Sequence, residues 1–234
     1  LFEWNFIMKL VDGHWKIGSV DVEALADQHG TPLYLYDEQT IRRQVKRFRD
    51  AFSAFDHRIH YAMKANSNRD VLSLMKKLDL GIDAVSIHEI RLALEIGFDS
   101  HQILFTPNGV PFDELEQAIE LGVRLNIENL SYLEKLGEAY QGDVPCTLRV
   151  HPGLVMPGSP RDATGWYQRS RFGIGGDQIS EALRLIELHG IRVEGLHVHS
   201  SSMILDEQVF GAAAAVLLDL ARKLPSVRAI DLGG

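Results

Sequence analysis

Short apolar runs alternate with longer amphipathic segments along the chain, and this alternation limits the possible folds more than any other feature. The runs are "PLYLY" at 32–36, "RIHYAM" at 58–63, "GIDAV" at 81–85, "QILF" at 102–105, "VRLNI" at 123–127, "CTLRV" at 146–150, "VEGLHVH" at 193–199 and "VRAIDL" at 227–232. Several segments between them start near Asp or Asn and end at Gly, as helices do. Strands that alternate with crossover helices form a parallel sheet, and this many units predict an α/β fold of the TIM-type (β/α)8 barrel class.

The carboxyl ends of the strands are where functional side chains are expected, because the sites of such barrels gather there. The residues at or just beyond the ends of the runs are Lys64, Asp83, Ser86, Asn108, Glu128, Arg149, residues 199–202 and residues 231–234. The segment 151–176 also follows a strand and interrupts the alternation with glycines, prolines and charges. A loop of this length in a compact barrel is usually functional.

The charge and cysteine content restrict the class of protein. The net charge is −8, with 32 acidic and 24 basic side chains, which argues against a nucleic-acid or anionic-membrane surface and favours a small-molecule partner. The single cysteine, Cys146, cannot form an internal disulfide or a paired-cysteine metal site, so we expect a reducing, cytoplasmic compartment. Because the chain begins with Leu and stops at "DLGG", we expect it to be part of a longer protein.

Lys64 lies in "IHYAMKANSNR" at 59–69, directly after a strand and before a polar turn. On this pattern its amine is predicted to enter a site walled by apolar side chains. Desolvation in such a site lowers the pKa of a lysine and frees its amine to react with an aldehyde. The alternative is a lysine that extends from a strand end into solvent, and its position alone leaves both open.

Two segments rich in glycine and serine predict an anion site. "DLGG" at 231–234 lets backbone N–H groups converge on an anion, and "HSSS" at 199–202 adds hydroxyl donors from a second loop. Phosphate sites in barrels are commonly built from the last loops, where both segments lie. For each segment taken alone, an ordinary turn is the alternative.

Two histidines and an arginine complete the candidate site. His197 and His199 are two apart on a strand, so they share a face and could ligate a metal, but no third ligand has a distinctive spacing. We predict no metal; a structural role or a cofactor contact by His199 are the alternatives. Arg149 is predicted to pair with a carboxylate or phosphate, or to be a surface cation. An amine, a phosphate cradle and a flat ring together predict a site for pyridoxal phosphate.

Seven segments occur in the order found in one enzyme family. They are "YAMKANSN", "GIDAVSIHEI", "LFTPNG", "LRVHPG", "TGWYQRSRFGI", "GLHVHSSS" and "DLGG". From about Thr31 to Gly234 the chain resembles the diaminopimelate decarboxylases, within the alanine-racemase-like, fold type III group of pyridoxal phosphate enzymes. The resemblance implies that Lys64 holds the cofactor covalently and that His199 stacks on its ring, as the catalytic pair. The implied cofactor-binding residues are Lys64, Asp83, Arg149, His199, Ser202, Gly233 and Gly234.

The resemblance also implies a domain organisation. Residues 1–36, with "PLYLY", would be an N-terminal segment that pairs with a C-terminal β-domain and leads into the barrel, and residues 37–234 would form an incomplete cofactor-binding barrel. In the family the strand before the lysine is the first of the barrel, so this chain would hold seven of eight strands, against the eight runs counted above. An eighth strand with an "EPGR" motif and the β-domain would follow Gly234, and the full-length protein would be a homodimer with shared active sites.

The implied activity is that of a carbon–carbon lyase of lysine biosynthesis, which decarboxylates meso-diaminopimelate to L-lysine. Two segments depart from the family pattern: "HSSSM" at 199–203 stands where "HIGSQ" is usual, and the "HPGLVMPGSPRD" loop differs although Thr164 and Gly165 fit. Decarboxylases of ornithine, arginine, carboxynorspermidine or a carrier-bound amino acid therefore remain alternatives, as do a racemase and a non-catalytic regulatory relative. The 234-residue chain alone is expected to be inactive, since later residues would complete the site.

Overall fold

The computed structural model describes residues 8–151, 172–200, 204 and 206–233. The chain divides into two compact units, one of Leu1–Ile59 with Lys77–Asp79 and one of His60–Lys76 with Leu80–Gly234. No helix in the described part of the chain is long and apolar enough to cross a membrane. The predicted boundary at residue 36 between an N-terminal segment and the barrel stays a prediction.

The first unit begins with a small antiparallel sheet. Its strands are β1 (Met8–Val11), β2 (His14–Ile17) and β3 (Val20–Asp21), and helices α1 (Val22–His29) and α2 (Glu38–Ala51) follow. Asp12 and Gly13 join β1 to β2, both with positive φ, as a two-residue hairpin turn requires. Neither helix contains a buried residue.

The run "PLYLY" at 32–36 forms no strand, so the count of eight strands is wrong by one. Tyr34 and Tyr36 are exposed, and the segment leads into α2, where the Asp37 carboxylate accepts a hydrogen bond from the Gln39 amide. An apolar run becomes a strand only when its backbone pairs with a neighbour, and among the described residues neither sheet includes this run. Composition alone does not supply that partner.

The second unit confirms the predicted parallel sheet, with seven strands in sequential order. The strands are β4 (His60–Ala62), β5 (Gly81–Ala84), β6 (Ile103–Phe105), β7 (Arg124–Ile127), β8 (Cys146–Arg149), β9 (Val193–His197) and β10 (Ala229–Asp231). The helices between them are α3 (Arg69–Lys77), α4 (Ile87–Ile96), α5 (Phe112–Glu120), α6 (Leu130–Tyr140), α7 (Ile179–His189) and α8 (Gln208–Ala221). Sequential parallel strands with right-handed crossovers carry all their helices on one face, which is the arrangement of a barrel wall.

The two faces of this sheet differ in chemistry. The apolar, helix-facing side chains include Ile82, Phe105, Leu125, Leu148 and Leu196, all at most 1% exposed. The strand register aligns Asp83 with Leu104, Asn126 with Thr147, and His197 with both Arg149 and Asp231. Because alternate residues of a strand lie on opposite faces, these polar residues share the other face, called here the inner face.

Candidate active site

Lys64 lies at the carboxyl edge of the sheet, in a single 3-10 turn, Met63–Ala65, that directly follows β4. The Tyr61 hydroxyl donates to the Asn66 carbonyl at 3.2 Å, and the Asn66 side chain accepts from the Asn68 amide at 2.9 Å. These bonds fix the loop on both sides of the lysine. The expectation of apolar walls is wrong, because Lys64 is exposed and acts electrostatically on Asp83.

Asp83 occupies the inner face of the neighbouring strand β5. The Thr106 hydroxyl donates to its Oδ1 at 2.6 Å. The pKa of Asp83 is raised from 3.8 to about 6, chiefly by burial and also by the negative charge of Asp231, while Thr106, Lys64 and Arg149 act in the opposite direction. Asp83 therefore changes charge close to neutral pH.

The two histidines lie on and just after β9. His197 is 7% exposed, and burial lowers its pKa to about 4, with the cations Arg149 and Lys64 and the neighbouring His199 adding to the effect and Asp231 opposing it. Burial also lowers the pKa of His199, again with Arg149 and Lys64 contributing and Asp231 opposing. Both rings are held in the neutral form, which suits a flat surface next to an uncharged aromatic group.

Arg149 belongs to a second polar group on the same edge. Its guanidinium lies 3.3 Å from the Glu128 carboxylate and 5.1 Å from the centre of the Phe172 ring. Glu128 is 3% exposed and also accepts a hydrogen bond from the Asn108 side chain at 2.5 Å. Arg149 thus pairs with a carboxylate, one of the two partners predicted for it, and the surface-cation alternative is wrong.

The glycine turn after β10 has space for no side chain. Gly233 has φ +68°, and a Cβ there would lie 2.6 Å from the Val198 carbonyl oxygen, in the loop that leads to His199. The Gly233 amide donates to the Asp231 carboxylate at 2.8 Å. Ser202 and Gly234, the other predicted phosphate ligands, lie outside the described residues, as does most of the loop 151–176.

The other residues named from the sequence have structural roles or form no metal site within the described residues. Ser86 caps helix α4 by accepting from the Glu89 amide at 3.3 Å, and Cys146 is buried, which raises the pKa of its thiol to about 12. Within the described part of the chain, His197 and His199 meet no third metal-ligand side chain. The one group there with ligand atoms within 4.8 Å of one another is His14, Asp21 and Glu23, in the first unit.

Sequence reasoning missed Thr106 and Asn126. Asn126 is fully buried in the middle of β7, and its Nδ2 lies 2.7 Å from His197 Nδ1 and 3.3 Å from Thr106 Oγ1. The available signal was a single polar residue between Leu125 and Ile127, in a run otherwise suited to a buried strand. Thr106 directly follows β6 and gave no comparable signal.

The chain matches a known family and several relatives. Residues 38–234 match the pyridoxal binding domain of pyridoxal-dependent decarboxylases. The chain belongs to that family. It is 38% identical to the diaminopimelate decarboxylase of Methanothermobacter thermautotrophicus, over 95% of this chain and 53% of that protein. With the Streptomyces coelicolor diaminopimelate decarboxylase it shares 35% identity, over 90% of this chain and 47% of the relative.

A solved structure of a diaminopimelate decarboxylase is also similar to this chain. The diaminopimelate decarboxylase of Helicobacter pylori, complexed with L-lysine, superposes with a TM-score of 0.71 at 25% identity, and the match covers 91% of this chain and 65% of that one. The chain spans about half the length of the curated relatives it matches. The predicted family and the barrel-type α/β fold are therefore confirmed.

The residues present fit pyridoxal phosphate. An exposed primary amine, Lys64, lies at the edge where a neutral imidazole, His199, and a cation, Arg149, also lie. The turn at Gly233 packs directly against the loop that carries His199, because a Cβ there would lie 2.6 Å from the Val198 carbonyl oxygen. An amine, a flat neutral ring and a side-chain-free turn are the donor and steric features that an aromatic aldehyde with a phosphate needs.

Proposed function

We propose that this chain is the cofactor-binding part of a pyridoxal phosphate-dependent decarboxylase that converts meso-diaminopimelate to L-lysine. The observation that carries the proposal is the exposed Lys64 at the carboxyl edge of a parallel sheet, electrostatically linked to Asp83 and His199. Both curated relatives described above are diaminopimelate decarboxylases, which supports this substrate over the alternatives.

Each predicted site residue has a role in this proposal. Lys64 would hold the cofactor through its amine, and His199 would offer a neutral ring to it. Ser202, Gly233 and Gly234 would hold the phosphate, with Asp83 and Arg149 beside the lysine and the ring. When bound, the group withdraws electrons from the substrate carbon that loses carbon dioxide.

The inner face sets the charge pattern around Lys64. Above about pH 6 Asp83 is ionised and His197, with a pKa of about 4, is neutral; burial lowers the pKa of His199 as well. The ionised Asp83 carboxylate therefore interacts electrostatically with Lys64 across the inner face. The Glu128 carboxylate holds Arg149 in place, so that this guanidinium keeps a fixed position at the edge.

The experiment is a decarboxylation assay of the full-length protein loaded with pyridoxal phosphate. We expect carbon dioxide and L-lysine from meso-diaminopimelate, and much lower rates with ornithine, arginine and carboxynorspermidine. A visible absorbance band that Lys64→Ala removes would support the attachment of the cofactor to Lys64. A protein that released carbon dioxide from none of these amino acids would contradict the proposal and favour a regulatory relative.

We also propose that the full-length protein is a cytoplasmic homodimer whose subunits share active sites. The support is the resemblance in motif order, which the family match extends over residues 38–234. Light scattering of the full-length protein should give twice the monomer mass. Two inactive full-length variants would be mixed: one lacks a site residue from its own subunit, and the other lacks a residue that reaches the partner's site. Mixed dimers should regain part of the activity.

A further inference from the structure

One buried chain of hydrogen bonds crosses the inner face of the sheet. It runs from Asp83 on β5 through Thr106 after β6 and Asn126 on β7 to His197 on β9. The backbone fixes the middle of this chain, because the Thr106 amide donates to the Ala84 carbonyl at 2.8 Å, one residue after Asp83. The three side-chain contacts measure 2.6, 3.3 and 2.7 Å in that order.

The available protons allow only one direction of donation along this chain. An ionised Asp83 can only accept, so the single hydroxyl proton of Thr106 goes to Asp83. The Thr106 oxygen must then accept from Asn126, which requires the amide nitrogen of Asn126 to face Thr106. The same nitrogen lies 2.7 Å from His197 Nδ1, so Nδ1 must accept and the ring proton must be on Nε2.

Asn126 is not the side chain that would give this position the greatest stability. It is fully buried, and its Oδ1 has no hydrogen-bond partner among the described residues. A buried acceptor without a partner costs free energy, and an apolar side chain of similar size avoids that cost. The inner layers of barrels are usually filled by Val, Ile and Leu. An amide at this position therefore indicates a function for its two N–H groups.

We propose that Asn126 is a positioning residue: it holds His197 as the Nε2–H tautomer and Thr106 as a donor to Asp83, and so fixes the donors and acceptors next to Lys64. The inference rests on the proposed function for its catalytic consequence. The charged and titratable groups that act on Asp83 and His197 are Lys64 after β4, Arg149 on β8, His199 after β9 and Asp231 on β10. Asn126 itself is uncharged and acts only through the two hydrogen bonds that it donates.

The first test reads the tautomer and needs no catalysis. The full-length protein would be prepared with 15N-labelled histidine, and the His197 resonances would be assigned by their loss in His197→Gln. We expect a neutral Nε2–H ring in the wild type. In Asn126→Asp, which keeps the shape but replaces both donors by acceptors, we expect a proton on Nδ1. A wild-type ring with its proton on Nδ1, or a tautomer unchanged in Asn126→Asp, would overturn the inference.

The second test reads the pH profile of decarboxylation and uses matched variants. Thr106→Val removes the donor to Asp83, and we expect the acid limb of kcat/KM to move to higher pH because ionised Asp83 loses a hydrogen bond. Thr106→Ser keeps the hydroxyl and should restore the wild-type profile. Asn126→Leu should lower kcat about tenfold, the rate effect of one lost hydrogen bond. Ser226→Ala removes a hydroxyl-to-carbonyl bond at the amino end of β9 and should change neither profile nor rate.

The outcomes separate this inference from the proposed function. The full-length protein could show no decarboxylase activity while His197 shows the expected tautomer in the wild type and the other tautomer in Asn126→Asp. In that case the network stands and the proposed function fails. If decarboxylation is found but Thr106→Val and Asn126→Leu both keep the wild-type profile and rate, the network is without catalytic effect and the inference is overturned. Thr106→Val carries the test if Asn126→Leu does not fold.

Discussion

The two faces of the seven-stranded sheet are built from alternate residues of the same strands, yet one face is apolar and the other carries polar side chains. Leu125 and Ile127 on β7 are buried against the helix layer, whereas Asn126 between them joins a polar chain on the inner face. The same contrast separates Ile82 from Asp83 on β5. Stability therefore resides mainly on the helix-facing side, and the inner face carries polar groups at a cost in free energy.

The largest expected effect comes from removing Lys64. Lys64→Ala in the full-length protein should lower kcat/KM for meso-diaminopimelate by about three orders of magnitude or more, because it removes the amine that holds the cofactor. The melting temperature of the cofactor-free protein should hardly change, since Lys64 is exposed. Activity assays and thermal unfolding measure the two effects separately. Lys77→Ala, at another exposed lysine, is the control, and equal losses in both variants would contradict the assignment.

Neighbouring residues on β7 should separate the two faces. Leu125→Ala should lower the free energy of unfolding by about 2 to 5 kcal/mol, because Leu125 is 1% exposed and leaves a cavity in the core. Asn126→Leu should lower it by less, about 1 to 3 kcal/mol, because it removes an unpaired oxygen but leaves the buried His197 Nδ1 without its donor. Denaturant titrations compare the variants. A larger loss in Asn126→Leu than in Leu125→Ala would show that the inner face is the stabilising one.

The pH dependence of stability should reveal the charge on the inner face. The pKa of Asp83 is raised from 3.8 to about 6, so its contribution is fully present below about pH 3.8 and is lost as the pH rises through 6. Asp83→Asn removes this loss and should be more stable than the wild type at pH 8 by on the order of 2 kcal/mol. At pH 4 the difference should almost vanish.

His197 acts in the opposite direction, but its effect cancels in this comparison. Its pKa is lowered from 6.5 to about 4, so its contribution is present above 6.5 and is lost as the pH falls toward 4. Because both proteins contain His197, the difference between them isolates Asp83. Asp143→Asn, at an exposed position, serves as the control. A wild-type-minus-variant difference that is the same at pH 4 and pH 8 would be inconsistent with a raised Asp83 pKa.

The smallest expected effect lies at the amino end of the sheet. Ser226→Ala removes a 2.7 Å hydrogen bond to the Val193 carbonyl, which should cost about 1 kcal/mol of stability. Activity should be unchanged, because functional groups of such barrels lie at the opposite, carboxyl edge. A loss of activity in this variant with little loss of stability would break the rule used to rank the site residues.

Sequence patterns predicted the parallel sheet well because most of its strands coincide with local apolar runs bounded by turns. All seven strands of the parallel sheet lie within predicted runs. The remaining run, at 32–36, was wrongly predicted to be a strand, because strand pairing depends on a partner and not on composition. For Arg149 the sequence left two alternatives open, and the buried contact with Glu128 decides between them.

The sequence by itself determined the parallel α/β architecture, the family and the positions of Lys64, Asp83 and His199 at the carboxyl edge. These depend on periodicity and motif order, which are local properties of a chain. Only the tertiary structure decided that Lys64 is exposed, that Asp83 titrates near pH 6 and that Asn126 links Thr106 to His197. Burial and hydrogen bonds between strands depend on residues up to 71 positions apart, as for Asn126 and His197, and no local pattern specifies them.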